Sequence, residues 1–265
     1  LDALSGAVLG FTRTEIGFLG SAHFFGFFIG CWWAPRLMGE VGHSRAFAAF
    51  VGAGTIGILA HMLWIDPLVW GILRMGAGLC VAGAYTIIEA WLQSKVTNET
   101  RGRAMGVYRV VDITGSLAAQ LVIGVLEPAS FVSYNILALL LCAAIFPLTL
   151  TRAEAPDTPE APRLRPALAW RMSPLAAAGV VVSGVGGAAF RMVGPIYGLE
   201  VGLRADQIAL FLAAYVIGGA LAQVPVGWVA DKFDRRLVLI WLSVLAVMTS
   251  AASVALAGHG PWANY

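Results

Sequence analysis

The sequence predicts an all-α polytopic membrane protein whose helices form two repeated halves. Of its 265 residues, 59% are apolar and only 12% are charged, whereas a soluble domain usually carries about 25% charged residues. The apolar residues are gathered into eight runs, each long enough for a membrane helix of about 20 residues. In addition, a pattern of helix, short basic loop and helix recurs at a spacing of 192 residues.

Short polar or turn-forming gaps separate the predicted spans. The eight spans are 16–35, 46–64, 68–92, 104–126, 130–150, 174–198, 207–229 and 237–257. Asp66-Pro67 and Glu127-Pro128 predict tight turns between them. Tryptophans lie near several helix ends, as is typical of the membrane interface, and we expect His61 at an outer interface as well.

The basic residues predict the orientation in the membrane. One side of the predicted helices carries only Arg13 and Arg204. The other side carries twelve basic residues: Arg36, Arg45, Lys95, Arg101, Arg103, Arg152, Arg163, Arg165, Arg171, Lys232, Arg235 and Arg236. By the positive-inside rule the second side is cytoplasmic, so we expect a multi-pass protein of the inner membrane.

A proline-rich segment, 151–173, predicts a cytoplasmic linker that divides the chain. Before it, residues 1–150 form an N-terminal half with the end of helix 1 and helices 2–6. After it, 174–265 form a partial C-terminal half with helices 7–9. Residues 15–45 align without a gap on 207–237, as in transporters with parallel repeats. We therefore expect helices 2–9 of a twelve-helix bundle that is incomplete at both ends.

Composition and motifs exclude several other classes. A formal net charge of +2 gives no basis for nucleic-acid binding. Cys31, Cys80 and Cys142 lie in apolar runs without metal-ligand spacing, so we expect neither disulfides nor a metal site. Neither a nucleophile–base pair nor a cofactor motif is present, and we expect a monomeric non-enzyme without a cofactor.

Charges inside the predicted spans are the main functional signal, because a charge at bilayer depth is costly and usually faces a cavity or a partner. Arg109 and Asp112 are three residues apart and can pair, and Glu89 lies at a similar depth on the preceding helix. A network of these three predicts proton coupling, and His23 is a further candidate proton carrier. The alternatives are a structural clamp between the two helices and, for Glu89, extension to the interface.

Two further arginines lie in the outer third of spans from opposite halves. Arg74 and Arg191 are candidates to bind an anionic solute through paired hydrogen bonds, with Tyr108 and Gln120 as weaker candidate contacts. Alternatively, Arg74 pairs with a carboxylate on one of the helices missing from the incomplete bundle, and Arg191 pairs with Glu200 or extends outward. Gly26 and Gly30 form a GxxxG pattern that predicts close helix packing.

The loop from Gly227 to Arg236 resembles the major facilitator superfamily signature GxxxD(R/K)xGRR, with Asp234 in place of the usual glycine. The first-half copy is weaker and has Gly39 in place of the aspartate. The stretch from Arg74 to Gly78 is similar to the family's RxxQG, and 42–50 and 88–92 resemble the YcaD-like branch. The family's GPxxGG element of drug antiporters is absent.

The resemblance implies a loop that stabilises one transport conformation and releases it in the other. The residues that match this conformational gate loop are Gly227, Asp231, Lys232, Arg235 and Arg236. It also implies a secondary transporter of a small solute that works by alternating access, here expected to be proton-coupled. The alternative is a membrane sensor or scaffold that keeps the fold without transport.

Overall fold

The computed structural model describes residues 1–97, 100–150 and 166–256, and every regular element in these ranges is a helix. The helices are α1 Asp2–Val8, α2 Arg13–Val41, α3 His43–Ala60, α4 Pro67–Lys95, α5 Arg101–Ile123, α6 Phe131–Ala143, α7 Ile145–Thr149, α8 Pro166–Met172, α9 Pro174–Glu200, α10 Ala205–Lys232 and α11 Arg235–Leu256. The predicted all-α class is confirmed.

Six of the described helical segments are long and apolar enough to cross a membrane. They lie in α2, α4, α5, α6 with α7, α9 and α10, which correspond to six of the eight predicted spans. The other two spans are helical as α3 and α11, and α11 contains a shorter apolar segment, Arg236–Ala252. Of the predicted linker, 166–172 form α8, and 151–165 lie outside the described residues.

The repeat extends further toward the N-terminus than the aligned sequence indicates. Helix α2 begins at Arg13 and α10 at Ala205, and α3 begins at His43 and α11 at Arg235, so both pairs differ by 192 residues. The end of α1, at Val8, is 192 residues before the end of α9. Residues 2–8 are thus equivalent to the last two turns of α9.

The turn after each of these equivalent helix ends has the same hydrogen bonds. Gly10 and Gly202 both adopt a positive φ, of 84° and 81°, which a residue without a side chain reaches most easily. In the first copy, the Thr12 N–H donates to the Glu15 carboxylate at 2.7 Å. In the second, the Arg204 N–H donates to Gln207 Oε1 at 2.9 Å. Both copies therefore start the next helix with a side chain that accepts from the N–H three residues before it, and in the first copy the Thr12 hydroxyl also accepts from the Glu15 N–H at 3.3 Å.

The chain divides into two compact units. Unit 1 comprises 1–107 and 127–193, and unit 2 comprises 108–126 and 194–265. In unit 1, α2 and α4 pack almost backbone to backbone. A Cβ added to Gly26 would lie 2.6 Å from the Met75 carbonyl carbon, and one on Gly30 would lie 2.9 Å from Leu79 Cα. The predicted GxxxG packing is confirmed, because only hydrogen atoms fit at these crossings.

The fifth predicted span, 130–150, is broken near its end. Helix α6 ends at Ala143 and α7 begins at Ile145, two residues before Pro147. Proline has no N–H to donate and its ring clashes with the preceding turn, so a helix bends before it. The N–H of Ala144 is shared between the carbonyls of Leu140 and Leu141, at 3.3 and 3.2 Å. The break leaves a groove beside α3 and α4, described below.

In unit 2, the ends of α5 and α9 pack against the start of α10. Ile208 is fully buried and lies against Gly198, and Ala209 lies against Gly124. At the same turn, hydrogen bonds to Asp206 raise the pKa of the Arg204 guanidinium. Arg204 therefore remains charged beside the N-terminus of α10.

Candidate functional site

A partly buried ion pair joins α1 to α4 within unit 1. The Arg74 guanidinium Nη1 lies 2.7 Å from Asp2 Oδ2, and the two side chains are only 25% and 18% exposed. Arg74 is a candidate solute contact, and the alternative is a carboxylate on a missing helix. The carboxylate that it binds is instead within this chain, at Asp2 in α1. A charge-assisted bond at this distance is among the stronger polar contacts in a protein.

Two residues from other helices complete the surroundings of this carboxylate. The Tyr134 hydroxyl on α6 donates to Asp2 Oδ1 at 2.9 Å. His61 follows the end of α3, and its Nε2 lies 4.0 Å from Asp2 Oδ2. We call Asp2, His61, Arg74 and Tyr134 the Asp2 cluster. Four segments of unit 1 thus meet at one carboxylate.

The His61 ring is held in one orientation. Its Nδ1 lies 2.7 Å from the Gly57 carbonyl, which can only accept, so Nδ1 carries a hydrogen. Among the described residues, Nε2 has no hydrogen-bond partner. In the neutral ring Nε2 is therefore the site that can accept a proton, and it faces a carboxylate that would stabilise the resulting charge.

Aromatic rings enclose the Asp2 cluster. His61 stacks on Tyr134 with ring centroids 5.7 Å apart, and Trp70 meets the edge of His61 at 5.1 Å. Both His61 and Trp70 are buried within the protein, and His61 lies at the end of α3, so its position at the membrane interface stays a prediction. The Trp70 indole N–H donates to the carbonyls of His61 and Trp64, at 2.8 and 3.0 Å. The tryptophan fixes the turn that presents His61.

Replacing Trp70 with phenylalanine tests this arrangement. We expect a loss of about 1–3 kcal/mol in the free energy of unfolding, since the buried His61 carbonyl and the partly buried Trp64 carbonyl lose their donor. The measurement is denaturant unfolding of the purified protein in detergent. Trp228→Phe is the matched control, because Trp228 is exposed, and it should unfold like the unmodified protein. Equal stability of Trp70→Phe and Trp228→Phe would contradict the assignment.

Sequence reasoning missed Asp2, His61 and Tyr134. Asp2 could have been found, because it is a carboxylate in an apolar helix and the argument from the cost of buried charge applies to it. Nothing local distinguishes His61 or Tyr134 from interfacial residues near helix ends. Their role depends on the packing of α3 and α6 around α1.

Two predicted residues lie near the cluster in unit 1. The ring of His23 on α2 interacts with the backbone of Arg74, and it lies within electrostatic range of Asp2 and Arg191. His23 is half-buried, and Arg191 on α9 is exposed. Met192, the neighbour of Arg191, fills the space at Gly20 on α2. The structure therefore brings His23, Arg74 and Arg191 into one region.

Four predicted residues lie on α5 in unit 2. Arg109 Nη1 lies 3.4 Å from Asp112 Oδ2, so the two residues form the expected pair across one helical turn. Asp112 lies four residues after Tyr108, and Gln120 lies eight residues after Asp112. These spacings place the three residues on one side of the helix. The result is a polar stripe on an otherwise apolar helix.

Glu89 lies in unit 1, on an exposed position of α4 and within electrostatic range of Cys31 on α2. Because Arg109 and Asp112 belong to unit 2, the network of Glu89 with this pair stays a prediction.

The gate loop joins α10 to α11. The Lys232 ammonium lies over the Trp228 ring, 3.8 Å from its centroid, and Arg236 donates its backbone N–H to Asp234 Oδ1 at 2.8 Å. Asp234 therefore caps α11, which gives a physical reason for aspartate where the signature has glycine. The remaining positions lie in these helices, but the side chains of Asp231 and Arg235, and the surroundings of Gly227, are outside the described part of the structure.

Comparison with known proteins agrees with this architecture. The family model of the Major Facilitator Superfamily matches residues 3–264. An uncharacterized MFS-type transporter of Yersinia enterocolitica, YE1530, is 26% identical over 92% of this chain. Uncharacterized MFS-type transporters of Enterobacter sp. (Ent638_1421) and Salmonella heidelberg (YcaD) are each 27% identical over 90% of it.

The chain spans 65% of the length of the Yersinia protein and 64% of the other two. Its apolar helices make it a multi-pass membrane protein. The duplicated helix–turn–helix units, the gate-loop residues and the match over nearly all of the sequence agree, and the chain belongs to the Major Facilitator Superfamily, among relatives of the YcaD type.

Proposed function

We propose that the protein is a secondary transporter that moves a small solute across the inner membrane by alternating access, coupled to protons. The observation that carries this proposal is the Asp2 cluster, in which one buried carboxylate contacts a guanidinium, a phenol and an imidazole. A carboxylate with several exchangeable partners can bind and release a proton as those partners move. Family membership supports the transport class.

Within this proposal, Asp2 is ionised while Arg74 binds it. A movement that separates α1 from α4 would leave the carboxylate without its cation, and a buried carboxylate in that state takes up a proton. His61 can supply that proton from Nε2 when its ring is charged. When Asp2 and Arg74 form their ion pair again, the carboxylate would release the proton.

The solute proposed for this site is a small anion. Arg191 presents an exposed guanidinium, and both Arg74 and Arg191 lie within electrostatic range of His23. A planar guanidinium binds carboxylates and phosphates through two parallel hydrogen bonds. Tyr108 and Gln120 remain candidate solute contacts because they lie on the polar side of α5.

Proton coupling can be tested at two carboxylates. One is Asp112 in the ion pair on α5, and the other is Glu89 on α4. Replacing Asp112 with asparagine, or Glu89 with glutamine, should abolish solute accumulation driven by a proton gradient, because neither amide can carry the proton. Uptake into proteoliposomes with an imposed pH gradient measures this. Downhill exchange of solute without a gradient should persist.

Asp206→Asn is the matched control, since Asp206 is an exposed carboxylate bound to Arg204. Its gradient-driven uptake should equal that of the unmodified protein. Gradient-driven accumulation at the normal level in both the Asp112 and the Glu89 variants would overturn their part in coupling.

A membrane sensor or scaffold with this fold is the second candidate. It is favoured by Gly39, which stands where the first loop of the superfamily signature has aspartate. Solute flux in proteoliposomes separates the two candidates, because a sensor binds its ligand and moves none.

A further inference from the structure

An apolar groove opens in unit 1 between α3, α4 and the break that separates α6 from α7. It encloses about 420 Å³, and its lining includes Phe47, Ile88, Trp91, Lys95, Ala144 and Pro147. That volume lies within the range of about 300–1,000 Å³ found for small-molecule sites. Among its described lining residues, Lys95 alone carries a charge.

The groove is amphipathic along its length. Ile87, Ile88, Trp91 and Lys95 all line it from α4, and Lys95 stands in the last turn, exposed at the helix end. Glu89 is two residues from Ile87, which places it about 200° around the helix, on the opposite side. The groove therefore has an apolar floor and a single ammonium at its mouth.

A second polar group lies at the same end. His43 is 1% exposed, and its ring meets the edge of Trp91 with centroids 6.0 Å apart. It precedes Phe47 by one turn on the same side of α3. Within the described part of the chain, His43 Nδ1 has no hydrogen-bond partner. His43 is not one of the residues that line the groove, so its role there is to pack against the Trp91 ring.

We propose that this groove binds an anionic phospholipid, with one acyl chain in the apolar floor and the phosphate at Lys95. An ammonium and an aromatic ring at a helix end, above an apolar cleft, match the chemistry of a lipid with a charged headgroup. The predicted orientation places this end at the cytoplasmic surface, where anionic lipids bind basic pockets between helices.

This lipid site is separate from the proposed solute site. Arg74 lies near the start of α4 and Lys95 at its end, so about 30 Å of helix separates the two sites. The lipid proposal therefore does not depend on transport and can be tested without a known solute.

The test is native mass spectrometry of the purified protein released from nanodiscs of equal phosphatidylglycerol and phosphatidylcholine. We expect the protein to retain phosphatidylglycerol preferentially. Lys95→Gln should lower that preference about fivefold, as expected for the loss of one basic residue near a membrane surface. Lys95→Arg should preserve it, and Ala144→Leu or Ala144→Trp, which fill the floor, should reduce retention of both lipids.

Arg36→Gln is the matched control. Arg36 is exposed near the same end of unit 1 and lies over Trp32, outside the groove lining, so this variant should keep the preference. Equal retention of the two lipids by the unmodified protein would overturn the proposal. So would equal losses in Lys95→Gln and Arg36→Gln, which would indicate diffuse surface charge. Displacement of phosphatidylglycerol by soluble glycerol 3-phosphate would also overturn it, because the occupant would then be a free phosphate ester.

Discussion

Replacing Arg74 with methionine is expected to lower the free energy of unfolding by about 3–5 kcal/mol, because Asp2 would remain as a buried carboxylate without its cation. The ion pair is short, at 2.7 Å, and both side chains are largely shielded from solvent. The measurement is denaturant unfolding in detergent micelles. Gradient-driven uptake should also be lost in this variant if the Asp2 cluster couples transport to protons.

Two further variants separate charge from packing. Arg74→Lys keeps the positive charge and should recover part of the stability. The double variant Asp2→Asn with Arg74→Met removes both charges and should be more stable than Arg74→Met alone, since no unpaired charge remains.

The matched control is Arg204→Met. Arg204 also contacts a carboxylate at 2.7 Å, but Arg204 and Asp206 are 75% and 53% exposed. Exposed ion pairs contribute little to stability, so this variant should unfold almost like the unmodified protein. If Arg74→Met and Arg204→Met had the same stability, the Asp2 cluster would not be a structural ion pair.

Replacing Gly26 with valine is expected to cost at least about 3 kcal/mol and to prevent normal packing of α2 on α4. A Cβ at this position would lie 2.6 and 2.9 Å from the carbonyl carbon and Cα of Met75. Backbone atoms cannot move aside as a flexible side chain can, so the two helices would have to separate. Thermal unfolding and the yield of monodisperse protein measure this effect.

Gly17→Val is the matched control on the same helix. A Cβ at Gly17 would meet no atom within 4 Å, so valine should be tolerated there. A Gly26→Val protein as stable as Gly17→Val would show that α2 and α4 are not held by this close approach.

The helices and the repeat were predictable from sequence for a local reason. A membrane helix satisfies its own backbone hydrogen bonds, so an apolar run of sufficient length specifies it without help from neighbours. The same holds for Arg109 and Asp112, since residues three apart on one helix are neighbours by geometry. The capping interaction at Thr12 and Glu15 is also local, and it was identifiable from the sequence at the start of α2.

The break in the fifth predicted span was only partly predictable. Pro147 is visible in the sequence, but the run 130–150 is mostly apolar and suggests one continuous helix. Whether a proline bends or ends a helix depends on how neighbouring groups satisfy the freed carbonyls. Here the chain breaks at Ala144, and the resulting groove depends on α3 and α4 as well.

The sequence by itself determined the class of this protein, its helices, its internal repeat and its family. Only the tertiary structure decided that Arg74 binds Asp2, which is 72 residues away, and that His61 and Tyr134 contact the same carboxylate. The physical reason is that hydropathy and helix capping act over a few residues. The partner of a buried charge, in contrast, depends on how distant helices pack and rotate against one another, and no local pattern encodes that packing.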